Sequence, residues 1–147
     1  MSVYETHSSE ETVALGRKIA ATLPKHAVVL LIGNLGAGKT TLAKGIVSGL
    51  CGADPDEVSS PTFTLIHEYG GGEDGGARVY HIDLYRLDRP EQIATLGLDE
   101  IFDRHAVVLI EWGERFPQLM PPGRIEIRLD AIGDAARRIV VTQYSYN

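Results

Sequence analysis

A chain of 147 residues, 44% hydrophobic and 23% charged, is expected to fold as one domain spanning residues 1–147, with a core burying about two thirds of its unfolded surface. Its formal net charge of −6, with lysines and arginines scattered rather than striped, argues against a stand-alone nucleic-acid binder, because such binding rests on phosphate neutralisation. The single cysteine, Cys51, excludes a disulfide framework, and the lack of a long apolar run or a signal-peptide layout predicts a cytoplasmic protein with no membrane partner.

In chain order, "SSEETVALGRKIAATL" reads as a helix. Ser8 and Glu11 are spaced as a capping box, Leu15, Ile19 and Leu23 share one face, and Pro24 ends the run. "AVVLLI" (27–32) is an apolar run of strand length, as in a parallel strand buried on both faces. After the glycine-rich "GNLGAGKTT" (33–41), Leu42, Ile46 and Leu50 recur at helical spacing, and Cys51 reads as a small buried apolar residue. "PTFTLIHEY" (61–69) and "ARVYHIDLY" (77–85) read as an antiparallel pair across the "GGGEDGG" break (70–76). A short helix is expected to open at Pro90, and "AVVLIEW" (106–112) is a second buried strand. Pro117, Pro121 and Pro122 punctuate a loop, and "RIEIRLD" and "RRIVVTQY" alternate as a closing antiparallel pair. The pattern predicts an α/β fold with a mixed sheet.

The stretch from Gly33 to Thr41 carries a mechanism. Gly33, four residues, then Gly38, Lys39 and Thr40 form the P-loop spacing, placed between a strand and a helix as the motif requires. Gly33, Gly36 and Gly38 let the backbone curl around a triphosphate without Cβ clashes, so that several N–H groups meet it at once. The segment Gly33, Asn34, Leu35, Gly36, Ala37, Gly38, Lys39, Thr40 and Thr41 is therefore assigned to the nucleotide. Lys39 supplies a point charge to the β and γ phosphates, and Thr40 a hydroxyl to Mg²⁺.

Such a site needs an acidic partner at the end of a neighbouring strand. Glu111 follows the clean apolar run "VVLI" and is assigned to the metal; Asp83, after "VYHI", is assigned to orienting or activating the attacking water. Thr62 in "SSPTFT" reads equally as a γ-phosphate sensor and as a strand-entry residue. Trp112 has three readings: stacking on a substrate, anchoring a partner, or filling the core. No further His or Cys joins His67 and His81 as a metal set, and both are read as surface or interface histidines.

With these residues assembled, the chain resembles the TsaE (YjeE) family, small bacterial P-loop ATPases of tRNA threonylcarbamoyladenosine synthesis. The resemblance runs through "GNLGAGKTTLAKGI", "SPTFTLIHEY", "VYHIDLYRL", "LGLDEIF" and "LIEWGERFP", nearly the whole chain. Many enzymes share the P-loop; "SPTFTL", "HIDLYRL" and "LIEW" together are specific. The resemblance implies a P-loop NTPase fold of three layers, with a mixed parallel/antiparallel central sheet flanked by helices. It implies ATP with Mg²⁺, and a complex with TsaB- and TsaD-type subunits in which TsaD transfers threonylcarbamoyl to adenosine. The TsaE-like subunit hydrolyses ATP, weakly alone and faster with its partners, to reset that complex, and meets tRNA only indirectly. By motif, Thr40 and Glu111 hold magnesium, Gly36 to Thr41 bind phosphates, and Asp83 and Trp112 belong to the functional region. Ser8, Glu10 and Arg137 are candidates for adenine contacts.

Two rivals come from other classes. A small-molecule kinase would use the same loop, but the arginines of the middle of the chain, Arg86, Arg89, Arg104 and Arg115 among them, come with no acceptor-binding insertion. A nucleotide-sensing module would bind without hydrolysing. A GTPase is disfavoured because no Asn-Lys-x-Asp motif occurs.

Overall fold

A computed structural model describes residues 1–61, 64–71 and 77–145; Thr62 and most of the "GGGEDGG" stretch lie outside them. The elements run β1 Ser2–Thr6, α1 Ser9–Ala20, β2 Ala27–Ile32, α2 Lys39–Cys51, β3 Ile66–Tyr69 and β4 Val79–Asp83. There follow α3 Pro90–Ala94, α4 Leu98–Phe102, β5 Val107–Glu111, β6 Arg124–Ala131 and β7 Arg137–Tyr144. Seven strands of the described residues form one mixed sheet in the order β1-β7-β6-β2-β5-β4-β3. Its centre, β6-β2-β5-β4, is parallel, and the pairs β3–β4, β6–β7 and β1–β7 are antiparallel.

The apolar runs explain this placement. Val29 and Leu31 of β2 face one core with Leu109 of β5, Leu42 and Ile46 of α2, and Leu15 and Ile19 of α1. Leu30 and Ile32 face the other, with Ile110, Ile93 of α3, Ile101 of α4, Phe116 and Met120. Strands apolar on both faces are what two covering layers require, so the molecule is a three-layer sandwich.

Helix α1 begins as expected: Ser8 Oγ accepts the Glu11 N–H at 3.1 Å, and Glu11 Oε1 accepts the His7 N–H at 2.8 Å. It stops at Ala20, and Leu23 reaches the core from the turn beyond. Helices α1 and α2 touch backbone to backbone. A Cβ on Gly45 would overlap the carbonyl oxygen of Val13, and one on Gly16 would lie 2.5 Å from that of Leu42. Cys51 is half-buried against this core, its thiol donating to Val47 O at 3.2 Å.

Two elements were not expected. β1 adds to the sheet edge beside β7, and Thr6 Oγ1 lies 2.7 Å from Thr12 Oγ1, tying the strand to α1. α4 starts after Gly97, whose φ of +70° breaks the turn from α3. Among the described residues no helix is long and apolar enough to cross a membrane.

Candidate nucleotide site

Strand β2 delivers the chain to Gly33, where an added Cβ would lie 2.7 Å from the Leu129 carbonyl oxygen on β6, so the loop can leave the sheet only through glycine. Gly36 and Gly38 then take φ of +80° and +102°, the left-handed region that lets the loop close before Lys39 opens α2. As N-cap, Gly38 contributes no side-chain hydrogen bond. Among the described residues, the first-turn N–H groups of α2, at the positive end of a 13-residue helix, therefore stand uncapped by a side chain at the cleft.

Lys39 is only 6% exposed. Its Nζ donates to Gly33 O at 2.8 Å and sits 3.5 Å from the centre of the Trp112 ring, a cation–π contact. Burial holds the ammonium below its ordinary pKa, while the carboxylates of Glu111, Glu114 and Asp83 pull the other way. Trp112 has φ of +67°, an unusual backbone for a bulky residue, and its ring also packs 5.1 Å from that of Tyr85. It is half-buried against the core and covers Lys39, so core filling does not exhaust its role.

The two carboxylates stand side by side. Asp83 and Glu111 are register partners on parallel β4 and β5, both at C-terminal strand ends and only 5% and 3% exposed. Ser60 Oγ donates to Asp83 Oδ2 at 2.8 Å and the Tyr85 N–H to Oδ1 at 2.9 Å. Thr40 Oγ1 donates to Glu111 Oε2 at 3.3 Å. The same oxygen lies 2.6 Å from His81 Nε2.

That contact corrects the reading of His81 as a surface or interface histidine. It is 0% exposed, because β4 is an interior strand covered on both faces. His67, opposite it on edge strand β3, is half-buried beside the Tyr69 hydroxyl, 3.3 Å from Nδ1.

Arg137 ties the loop to the sheet: Nε donates to Ala37 O at 3.0 Å and Nη2 to Gly36 O at 3.1 Å. Its Nη1 binds the carbonyls of Gly133, Asp134 and Ala136 in the β6–β7 turn. Ser8 is occupied as the α1 cap and Glu10 is exposed in the first turn of that helix; neither lines the cleft.

The cleft measures about 440 Å³ and joins the P-loop and first turn of α2 to Ser60, Asp83, Tyr85, Glu111, Trp112 and Arg137. Ser60, Tyr85 and His81 were not singled out as site residues from sequence, although each lies within two residues of one that was. Glu114 was also missed: its Oε1 is buried with no hydrogen-bond partner among the described residues. Burial raises its pKa against the pull of Lys39, Arg128 and Arg115. A larger cavity of about 590 Å³ lies at the opposite end of β2, around His26, Phe102 and Met120. Its described lining has no lysine or arginine, and it is a poor place for phosphates.

The family model described as "Threonylcarbamoyl adenosine biosynthesis protein TsaE" matches residues 6–139. The tRNA threonylcarbamoyladenosine biosynthesis protein TsaE of Bacillus subtilis is 40% identical over 139 residues, covering 95% of this chain and 84% of that protein. The protein of the same name from Rickettsia conorii is 36% identical over 146 residues, covering 99% and 81%. Among solved structures, YdiB of Bacillus subtilis aligns with a TM-score of 0.77 and 34% identity, over 98% of this chain and 86% of that one.

Proposed function

The chain belongs to the TsaE family, proteins of threonylcarbamoyladenosine biosynthesis, and from that premise we propose that it binds and hydrolyses magnesium–ATP to reset a complex of TsaB- and TsaD-type subunits between turnovers. One observation carries the ATPase reading: the glycine loop, the buried Lys39, the Thr40–Glu111 pair and the braced Asp83 all meet in a single cleft.

The donor set fits a magnesium-bound triphosphate. Gly36 and Gly38 form a cradle that requires positive φ, and the Thr40 hydroxyl donates a hydrogen bond to Glu111, so the lone pairs of the Thr40 oxygen stay available for a cation. Thr40 and Glu111 would hold the metal, and the loop N–H groups and Lys39 the phosphates. Magnesium supplies charge neutralisation on the phosphoryl oxygens. Lys39 is desolvated under Trp112, and an ammonium in that setting attracts a phosphate more strongly than one in water does. Asp83, held at both oxygens, accepts a hydrogen bond from the attacking water. Hydrolysis joins that water's oxygen to the γ-phosphorus and breaks the γ-phosphorus bond to the bridging oxygen, giving ADP and phosphate. With a net charge of −6 on this chain, its contact with tRNA runs through the partner subunits.

The test is thermal unfolding with and without magnesium–ATP. A ligand at 100 times its Kd stabilises the native state by about 2.7 kcal/mol. Lys39→Ala should lose most of the rise in Tm; an equal rise in the variant would take Lys39 out of the site.

A further inference from the structure

His81 is a fully buried polar side chain that the mechanism above does not use. Resting on the reading of Glu111 as a magnesium ligand, we propose that His81 is a positioning residue: its Nε2–H donates to Glu111 Oε2, fixes the rotation of that carboxylate, and so sets the site's affinity for magnesium.

The geometry leaves little choice of proton. An ionised carboxylate only accepts, so across 2.6 Å the imidazole Nε2 must be the donor. Nδ1 is buried with no partner among the described residues. A second N–H there would be an unpaired donor in an apolar core, so Nδ1 is the bare nitrogen and Nε2 carries the hydrogen that reaches Glu111. A histidine with one unpartnered nitrogen costs stability at a position where an aliphatic residue would pack. The bond to Glu111 is what offsets that cost.

The arrangement also explains which oxygen is used. Among the described residues both hydrogen bonds to Glu111, from His81 and from Thr40, fall on Oε2. Two donors from different elements, one on β4 and one on α2, hold the carboxylate at a fixed torsion instead of letting it swing. Outer partners of this kind typically control metal affinity by 10–100-fold.

The experiment measures binding of a non-hydrolysable ATP analogue by calorimetry as magnesium is titrated, in the unaltered protein, His81→Leu and His81→Gln. In His81→Leu the half-saturating magnesium concentration should rise about 10–100-fold. His81→Gln, whose amide N–H reaches where Nε2–H was, should recover most of the loss. Because leucine at a fully buried polar site can cost folding, ring ¹⁵N shifts of the unaltered protein give an independent readout. They should show a protonated Nε2 and a bare Nδ1. An unchanged magnesium requirement in His81→Leu, or an Nδ1–H tautomer, would overturn the proposal alone. Analogue binding that ignores magnesium in the unaltered protein would overturn the reading of Glu111 and the proposal with it.

Discussion

Lys39, buried, and Glu114, half-buried, are shifted by burial in opposite directions. Burial raises the Glu114 pKa, so the folded state holds that proton to higher pH than the unfolded chain does. Its contribution to stability is fully present below the ordinary value of 4.5 and is lost as pH rises through the folded value. Glu114→Gln removes this slope. The Tm of the variant minus that of the unaltered protein should therefore grow between pH 4 and pH 7, and a constant difference would show that Glu114 ionises freely. The lowered Lys39 pKa acts with the opposite sign, on the approach to its ordinary value of 10.5, where stability rises with pH. Lys39, Thr40, Asp83 and Glu111 were legible in the sequence because spacing and strand ends identify them without knowing the fold. His81 was not, since its meaning depends on β4 being covered on both faces and on a partner from the next strand. Arg137 was picked for adenine, whereas what fixes its guanidinium is a set of backbone carbonyls that no sequence pattern records.

The element that positions the P-loop is α2, and its placement depends on the glycine contact with α1. A Cβ at Gly45 would meet the Val13 backbone, which has no rotamer to give way. Gly45→Ala should cost about 1–3 kcal/mol despite alanine's better helix propensity, read as a lower urea midpoint with an unchanged m-value. No change in midpoint would mean the helices can move apart freely. The parallel core strands and the closing pair β6–β7 were readable from apolar runs and alternation. β1 escaped because a five-residue edge strand with Val3 half exposed carries too little pattern, and its identity comes from pairing with β7, more than 130 residues away. α4 escaped for a related reason: five residues after Gly97 are too few to show a helical period.

At the scale of the molecule, the sheet order puts the C-terminal ends of β2, β5 and β4 next to one another, and each ends in part of the cleft: the P-loop, Glu111 and Asp83. The fold class was legible because strand, glycine loop and helix come in a fixed order, but the order of strands in the sheet was not, since register between distant strands leaves no local mark. Arg137 is the only guanidinium in the described lining of the cleft, and its nitrogens are committed to carbonyls of the loop and the β6–β7 turn. The charge that would stabilise the departing γ-phosphoryl is thus expected from a partner, and arginines supplied in trans raise such rates by about 10³–10⁵. The decisive measurement is phosphate release from magnesium–ATP by the purified chain, alone and with TsaB- and TsaD-type subunits. A slow rate alone that rises at least tenfold in the complex is the predicted result. Background release under both conditions would contradict the account and leave a nucleotide-sensing module as the better reading.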